Sequence, residues 1–410
     1  MAEARRGWAG RGGERIPIRT DEGGLAEAAA PVIVSASRRT DLPAFHAEWF
    51  LDRLRAGYVR WVNPWNGVPQ VVSFARTRAV VFWTKNPRPL LPHLGELDRR
   101  GIGYYVQFTL NDYEAEGLEP GLPPLAERIE TFTELARRIG RERVVWRADP
   151  LLLADGLDLD RLVARIVRVG GAVHSWTERL VIAFADIERY PTVRARLRRF
   201  GKGCRELLPE EMRECASRLA DAGRGWGLSI AACAEAIDLA DLGIGRNRCI
   251  DDELLARLFP RDAELLAFLG PPAARGRLKD RGQRKECGCI RSTDVGSYGT
   301  CSHGCLYCYA RRSEPSVATA PICPPPTRPT ARREAPSGRL MRRPADFRVR
   351  PGSCAAPAGK GQRHPPPRQP PVWPSGASPP PVPPWRVAPD GPNRAAGPSS
   401  GRSRPPARSA

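Results

Sequence analysis

The feature that most constrains this chain is an alternation sustained from Pro31 to Leu269. Short apolar runs rich in β-branched and aromatic residues alternate with longer stretches whose apolar residues recur three and four positions apart. The runs VIVSAS (32–37), AVVFWTK (79–85), YYVQFTL (104–110), VVWRAD (144–149), RLVIAFAD (179–186) and LSIAACA (228–234) read as six strands. Between them, PAFHAEWFLDRLRAG, LAERIETFTELARRIG, DLDRLVARIVRV and PEEMRECASRLADAG read as amphipathic helices. Strand followed by helix, repeated, predicts an α/β fold: a partial (β/α)6 TIM-like barrel over residues 31–270. A further pair, RWVNPW and VVSFA, predicts a hairpin inserted after the first helix.

Polar residues collect where each predicted strand hands over to its loop. They are Arg38, Arg39 and Asp41; Lys85 and Asn86; Gln107, Thr109 and Asn111; Arg147 and Asp149; Asp186; and Cys233 with Glu235. In a (β/α) barrel these positions share the face that carries the active site. Arg38, Arg39, Asp41, Lys85, Asn86, Gln107, Arg147 and Asp149 are therefore candidates for binding a substrate or cofactor, and the cations among them suit an anionic one. Arg147 and Asp149 read equally well as a structural ion pair.

The net charge of +20 invites a nucleic-acid reading, but its distribution weakens it. Residues 311–410 hold 26 of the 43 prolines and 18 Lys+Arg against 4 Asp+Glu, so they carry +14 and the rest of the chain only about +6. Stretches such as HPPPRQPPVWPSGASPPPVPPW lack the aliphatic residues that offset backbone ordering, and a disordered Pro/Arg-rich tail is expected over 311–410. It reads as an inert extension, out-of-frame translation included, or as an arm that attracts nucleic acid. Residues 1–30 are Gly-, Ala- and charge-rich, without a secretory core, and are expected to be a disordered extension. No apolar run reaches membrane-spanning length, so a cytoplasmic protein without a membrane partner is expected. In that compartment the eleven cysteines read as metal ligands, redox groups or buried thiols rather than disulfides.

Five of those cysteines fall in ECGCIRSTDVGSYGTCSHGCLYCYA (286–310), which makes residues 271–310 a cysteine-rich cluster-binding segment. Zinc sites usually pair two C-x2-4-C hooks, and the spacing here departs from that, since Cys287-x-Cys289 is tighter and Cys301-x3-Cys305-x2-Cys308 supplies an odd number of ligands. Three thiolates on a four-iron cube leave one iron open for a further ligand. Cys301, Cys305 and Cys308 are thus the expected ligands of a 4Fe-4S cluster. Cys287 and Cys289, with Cys233 and Cys249, are candidates for an auxiliary metal site, or else buried thiols. His303, inside the triplet, reads as a loop-shaping group rather than a ligand.

The triplet, with Tyr307 just before its last cysteine, resembles the cluster motif of radical S-adenosylmethionine (SAM) enzymes, which are full or partial (β/α)6 barrels. Over residues 31–310 the chain resembles a bacterial family of unknown function, DUF1848, through SASRRTDLPAFHAEWF, FWTKNP, YYVQFTLNDYE, WRADP and CGCIRSTDVGSYGTCSHGCLYCYA. The radical SAM resemblance implies SAM on the open iron, an electron donor as partner, and reductive cleavage to a 5'-deoxyadenosyl radical that attacks a substrate. One departure stands out: in those enzymes the triplet follows the first strand, whereas here it follows the last helix. Two other classes compete. One is a zinc- or cluster-stabilised nucleic-acid binder acting through the basic tail; the other is a metal-dependent barrel hydrolase, disfavoured by a chain with only five histidines.

Overall fold

The computed structural model describes residues 14–62, 68–274 and 278–311, all within one compact unit, Met1–Arg333. The proline-rich tail, from residue 312 on, lies outside the described residues, and so does any nucleic-acid role resting on it. The first elements are two strands, β1 (Arg15–Arg19) and β2 (Leu25–Ala29), where a disordered extension is expected. They pair antiparallel, and β2 runs on to the buried Ala28 and Ala29, so small apolar residues rather than bulky ones anchor the hairpin.

Next come β3 (Ile33–Ala36), α1 (Leu42–Phe45), α2 (Ala47–Ala56), β4 (Tyr58–Val62), β5 (Pro69–Ser73), β6 (Ala79–Thr84), α3 (Leu94–Arg99) and β7 (Gly103–Thr109). They are followed by α4 (Leu125–Ile139), β8 (Val144–Leu151), α5 (Leu159–Val173), β9 (Arg179–Phe184), α6 (Pro191–Phe200), α7 (Pro209–Trp226) and β10 (Ser229–Ala232). The chain ends its described course with β11 (Gly245–Arg246), α8 (Asp252–Leu258), α9 (Ala263–Leu269) and β12 (Thr293–Asp294). The expected hairpin is present as the antiparallel pair β4 and β5, which joins β1 and β2 in a four-stranded sheet.

The main sheet has eight strands in the order β11-β10-β9-β8-β7-β6-β3-β12, every neighbouring pair parallel. Its strands read as continuous apolar runs because both faces are covered. With a period of two, Val34, Val80, Phe82, Tyr104, Val106, Phe108, Trp146 and Leu180 turn to one face and pack in a core with α2, α4, α5 and α7. Their alternates Ile33, Ala79, Val81, Tyr105, Val145 and Val181 turn to the other. There they meet Ile250, Leu254, Leu255, Leu265 and Leu269 of α8, α9 and the turn before them, together with Cys249, Cys287 and Cys289. The second face is thus filled by the last third of the described chain.

Local chemistry fixes the helix ends. Asp158, Asp251 and Asp262 each turn a carboxylate onto first-turn backbone N–H groups of α5, α8 and α9. Gly57 stops α2 at φ 82°, a conformation that L side chains resist. Among the described residues no helix is long and apolar enough to cross a membrane.

Candidate functional site

The site is assembled around β12, which is two residues long and lies parallel to β3, with Thr293 opposite Val34 and Asp294 opposite Ser35. The Asp294 carboxylate accepts from Ser35 Oγ (2.7 Å), Ser37 Oγ (2.7 Å), the Arg38 N–H (2.8 Å) and the Gly296 N–H (3.0 Å), and lies 3.6 Å from Arg39 Nη1. One buried side chain therefore binds the start of the cysteine loop to the end of β3. Gly296 is required beside it, since a Cβ there would stand 2.1 Å from Ser37 Oγ.

From this anchor the loop that carries Cys301, Cys305 and Cys308 crosses the C-terminal ends of the strands. Thr300 Oγ1 donates to Thr40 Oγ1 (2.9 Å), and His303 Nε2 lies 2.8 Å from the Asp41 carboxylate, both partners following β3. The backbones of His303 and Leu306 bond to Gly121 and Leu118 in the loop after β7. Arg196 of α6 donates to the carbonyls of Leu306 (3.0 Å) and Cys308 (2.9 Å), and Tyr309 stacks on Tyr190. His303 is taken up on both ring nitrogens, Nδ1 facing Gly121 O at 3.5 Å, in keeping with a loop-shaping role.

Beneath the loop is a buried ionic group of which the sequence singled out Lys85 and Tyr307 but not Glu119 or Arg128. Lys85 Nζ donates to Glu119 Oε1 (2.7 Å) and Tyr307 OH (2.9 Å), Tyr307 donates to Glu119, and Arg128 lies 3.6 Å from the second Glu119 oxygen. Burial alone would push the Glu119 carboxyl up, yet Lys85 and Arg128 outweigh it and hold the group below the ordinary carboxylate range. Burial likewise opposes the Lys85 charge, and Glu119 and the nearby Cys305 overcome it, so its pKa rises. Burial pushes the Cys301 thiol up to about 12 and that of Cys305 higher still, with Lys85 pulling Cys305 back.

A second thiol group lies on the sheet face that α8 and α9 cover. Cys233 at the end of β10 and Cys249 stand Sγ to Sγ at 3.3 Å. Cys287 and Cys289 lie in the same buried cluster as Cys249. Arg147 Nη1 (3.0 Å) and Asn247 Nδ2 (3.1 Å) donate to Cys249 Sγ, and Ile250 N to Cys289 Sγ (3.4 Å). Arg147 also pairs with Asp149 and reaches Gln107 Oε1 (3.2 Å), while Gln107 Nε2 donates to Cys249 O (2.9 Å). Arg38 lies over Trp83; burial opposes its charge, and the fields of Cys289, Asp294, Cys249 and Cys287 outweigh it and raise its pKa. The hydrogen bond from Cys249, helped by Arg147, outweighs burial and lowers the Cys233 thiol below its ordinary value.

The predicted residues thus divide. Asp41 and Lys85 serve the triplet loop; Arg38, Gln107, Arg147 and Asp149 surround the four thiols; Arg39 pairs with Asp294 and lies over Trp61. Asn86 caps a turn, its Oδ1 taking the Arg88 N–H, and joins neither group. Among the described residues no group of three or more His, Cys, Asp or Glu side chains stands in a metal-holding arrangement. A cavity of about 210 Å³ lies by Val144, Arg179 and Ser229, at the opposite, N-terminal ends of β8, β9 and β10.

Glu235, following Cys233, is the carboxyl that burial shifts most visibly, up to about 8, although it accepts from the Phe184 N–H (2.9 Å). A carboxyl raised on folding contributes stability in full below its unfolded value near 4.5, and that contribution is lost as pH rises toward 8. Glu235→Gln is therefore expected to be more stable than the parent at pH 9, and the difference should shrink or reverse at pH 5. Urea unfolding at the two pH values measures it, and a constant offset would contradict it.

No curated protein matches the chain. Among solved structures, a protein from Bacteroides thetaiotaomicron described as an alpha-L-fucosidase is similar at 9% identity, over 56% of this chain and 80% of that one, with a TM-score of 0.22. At that score the likeness carries no argument about fold or activity. The family model described as Domain of unknown function (DUF1848) matches residues 33–310, the whole span from β3 to the last loop cysteines. The chain that pins its cysteine loop to the edge of its own parallel sheet belongs to the DUF1848 family.

Proposed function

We propose that this chain is an iron-sulfur enzyme of the radical SAM-like kind, with Cys301, Cys305 and Cys308 holding a 4Fe-4S cluster at the mouth of a partial (β/α)6 barrel. The observation that carries the reading is the place of β12. In sequence the triplet comes last, but in the sheet β12 stands outside β3, parallel to it, so the loop leaves the strand-end face as it would after a first strand. The order β3, β6, β7, β8, β9, β10 in both chain and sheet, all parallel, supports a singly wound barrel.

The donor set fits such a cluster by chemistry: three thiols and no imidazole, since His303 is already bound to Asp41. The described thiols are free of disulfides. A four-iron cluster on three thiolates supplies one-electron chemistry with one iron open to SAM. The chain's own groups prepare the place. Lys85, fixed by Glu119 and Tyr307, places a positive charge that favours the Cys305 thiolate against burial, and the stacked Tyr190 and Tyr309 brace the loop's far side. The case for an anionic substrate narrows, because Arg39, Lys85 and Arg147 already face Asp294, Glu119 and Asp149.

The test is SAM turnover. The anaerobically reconstituted and reduced chain should convert SAM to 5'-deoxyadenosine, and Cys305→Ala should not. A cluster-loaded protein that leaves SAM intact would remove the enzymatic reading while keeping the cluster.

A further inference from the structure

We propose that Cys233, Cys249, Cys287 and Cys289 form a second metal site, independent of the triplet, which takes a single divalent thiophilic ion of the zinc type. Four thiols from three separate stretches of chain meet on one buried face: the end of β10, the segment before α8, and the C-x-C pair before β12. Packing alone does not call for this, because an apolar face is filled as well by valine or alanine, and four cysteines gathered there are a costly way to fill it chemically.

The surroundings point to an anionic centre. Arg147 donates to Cys249 Sγ, and the Arg38 guanidinium, which lies over Trp83, feels the field of the same thiols. Arg147 is only partly answered by Asp149, whereas Arg38 Nη2 is buried with no hydrogen-bond partner among the described residues, and the same is true of Asn247 Oδ1. An unpartnered buried guanidinium nitrogen is expensive unless negative charge faces it. Four thiolates on a divalent cation carry a net charge of −2, which Arg38 and Arg147 face, with Asp149 offsetting part of the Arg147 charge. The donors to sulfur, Arg147 Nη1 and Asn247 Nδ2 on Cys249 and Ile250 N on Cys289, are the outer hydrogen bonds that hold metal-bound thiolates in place.

Geometry favours one ion over a cube. A metal–sulfur bond of about 2.3 Å puts tetrahedral sulfurs about 3.8 Å apart, and Cys233 and Cys249 are already at 3.3 Å. A four-iron cube binds each cysteine on a separate iron and needs its sulfurs further apart. As they stand, Cys233 and Cys249 are in direct contact and the four thiols do not form a ready metal cage. Binding an ion calls for the cysteine side chains to turn about χ1. With all four positions filled by protein the ion is structural. It would tie the segment leading into β12 to the end of β10, fixing the approach to the triplet loop from across the sheet.

The experiment uses the full chain with the triplet removed, Cys301→Ala/Cys305→Ala/Cys308→Ala, so that its outcome does not depend on the proposed cluster. Purified with zinc present, that variant should retain about one zinc per chain, with X-ray absorption showing four sulfur neighbours at about 2.3 Å. Adding Cys249→Ser and Cys289→Ser should abolish the retained zinc. A folded triplet-free variant that holds no zinc, or whose Cys233 and Cys249 are recovered as a disulfide, overturns the proposal. Iron held in the triplet-free variant with matching sulfide also overturns the single-ion assignment.

Discussion

Replacing Asp294 by alanine is expected to cost about 3–5 kcal/mol of folding free energy, the range for removing one partner from a buried charged network. Its carboxylate is the only side chain of β12 that meets Ser35, Ser37 and the Arg38 N–H together, and the strand contributes just two residues of ladder. Without it, two hydroxyls and two backbone donors lose their acceptor and Arg39 loses its ion pair with it. Asp294→Asn, which keeps an acceptor but not the charge, should fall between. Urea denaturation of the three proteins reads the order directly. If Asp294→Ala unfolds within about 0.5 kcal/mol of the parent, a figure typical of neutral surface changes, the anchoring role assigned to β12 is wrong.

The second large effect is at Glu119. Glu119→Ala leaves Lys85 and Arg128 facing each other's field with no anion between them, and again about 3–5 kcal/mol is expected. The pH dependence distinguishes this from lost packing. In the parent, Glu119 is held below the ordinary carboxylate range, so its contribution is present above that range and disappears as pH falls through the depressed value. In the variant Lys85 is buried without its partner, which favours the neutral amine; the unfolded chain then binds more protons, and stability should climb as pH rises from 7 to 9. Adding Lys85→Met should recover part of the loss. A variant that is destabilised equally at every pH, and that Lys85→Met does not help, would show that the group acts by shape alone.

Much of this was legible in the sequence. The six long strands declare themselves because a sheet covered on both faces demands continuous apolar runs, and four long amphipathic stretches, the first split between α1 and α2, do so because one stripe of each packs on that sheet. The strand-end rule brought Arg38, Gln107, Arg147, Asp149 and Cys233 into one neighbourhood before any coordinates. Other features were beyond its reach. β12 has too few residues to show a period, and its pairing with β3 bridges some 260 positions, so nothing local announces that the cysteine loop returns to the first strand. Glu119 lies in GLEPGLPP, a stretch with no regular pattern, and its importance comes only from the Lys85 and Arg128 that the fold brings to it. The hairpin at 15–29 was hidden because it buries alanines, which carry little strand signal.

The proposed four-iron cluster on the triplet at the sheet edge is tested by iron and acid-labile sulfide per chain in protein purified without oxygen, alongside Cys301→Ala/Cys305→Ala/Cys308→Ala. About four irons and four sulfides are expected in the parent, and neither in the variant. A colourless parent without sulfide, or iron and sulfide that survive loss of all three cysteines, would contradict it.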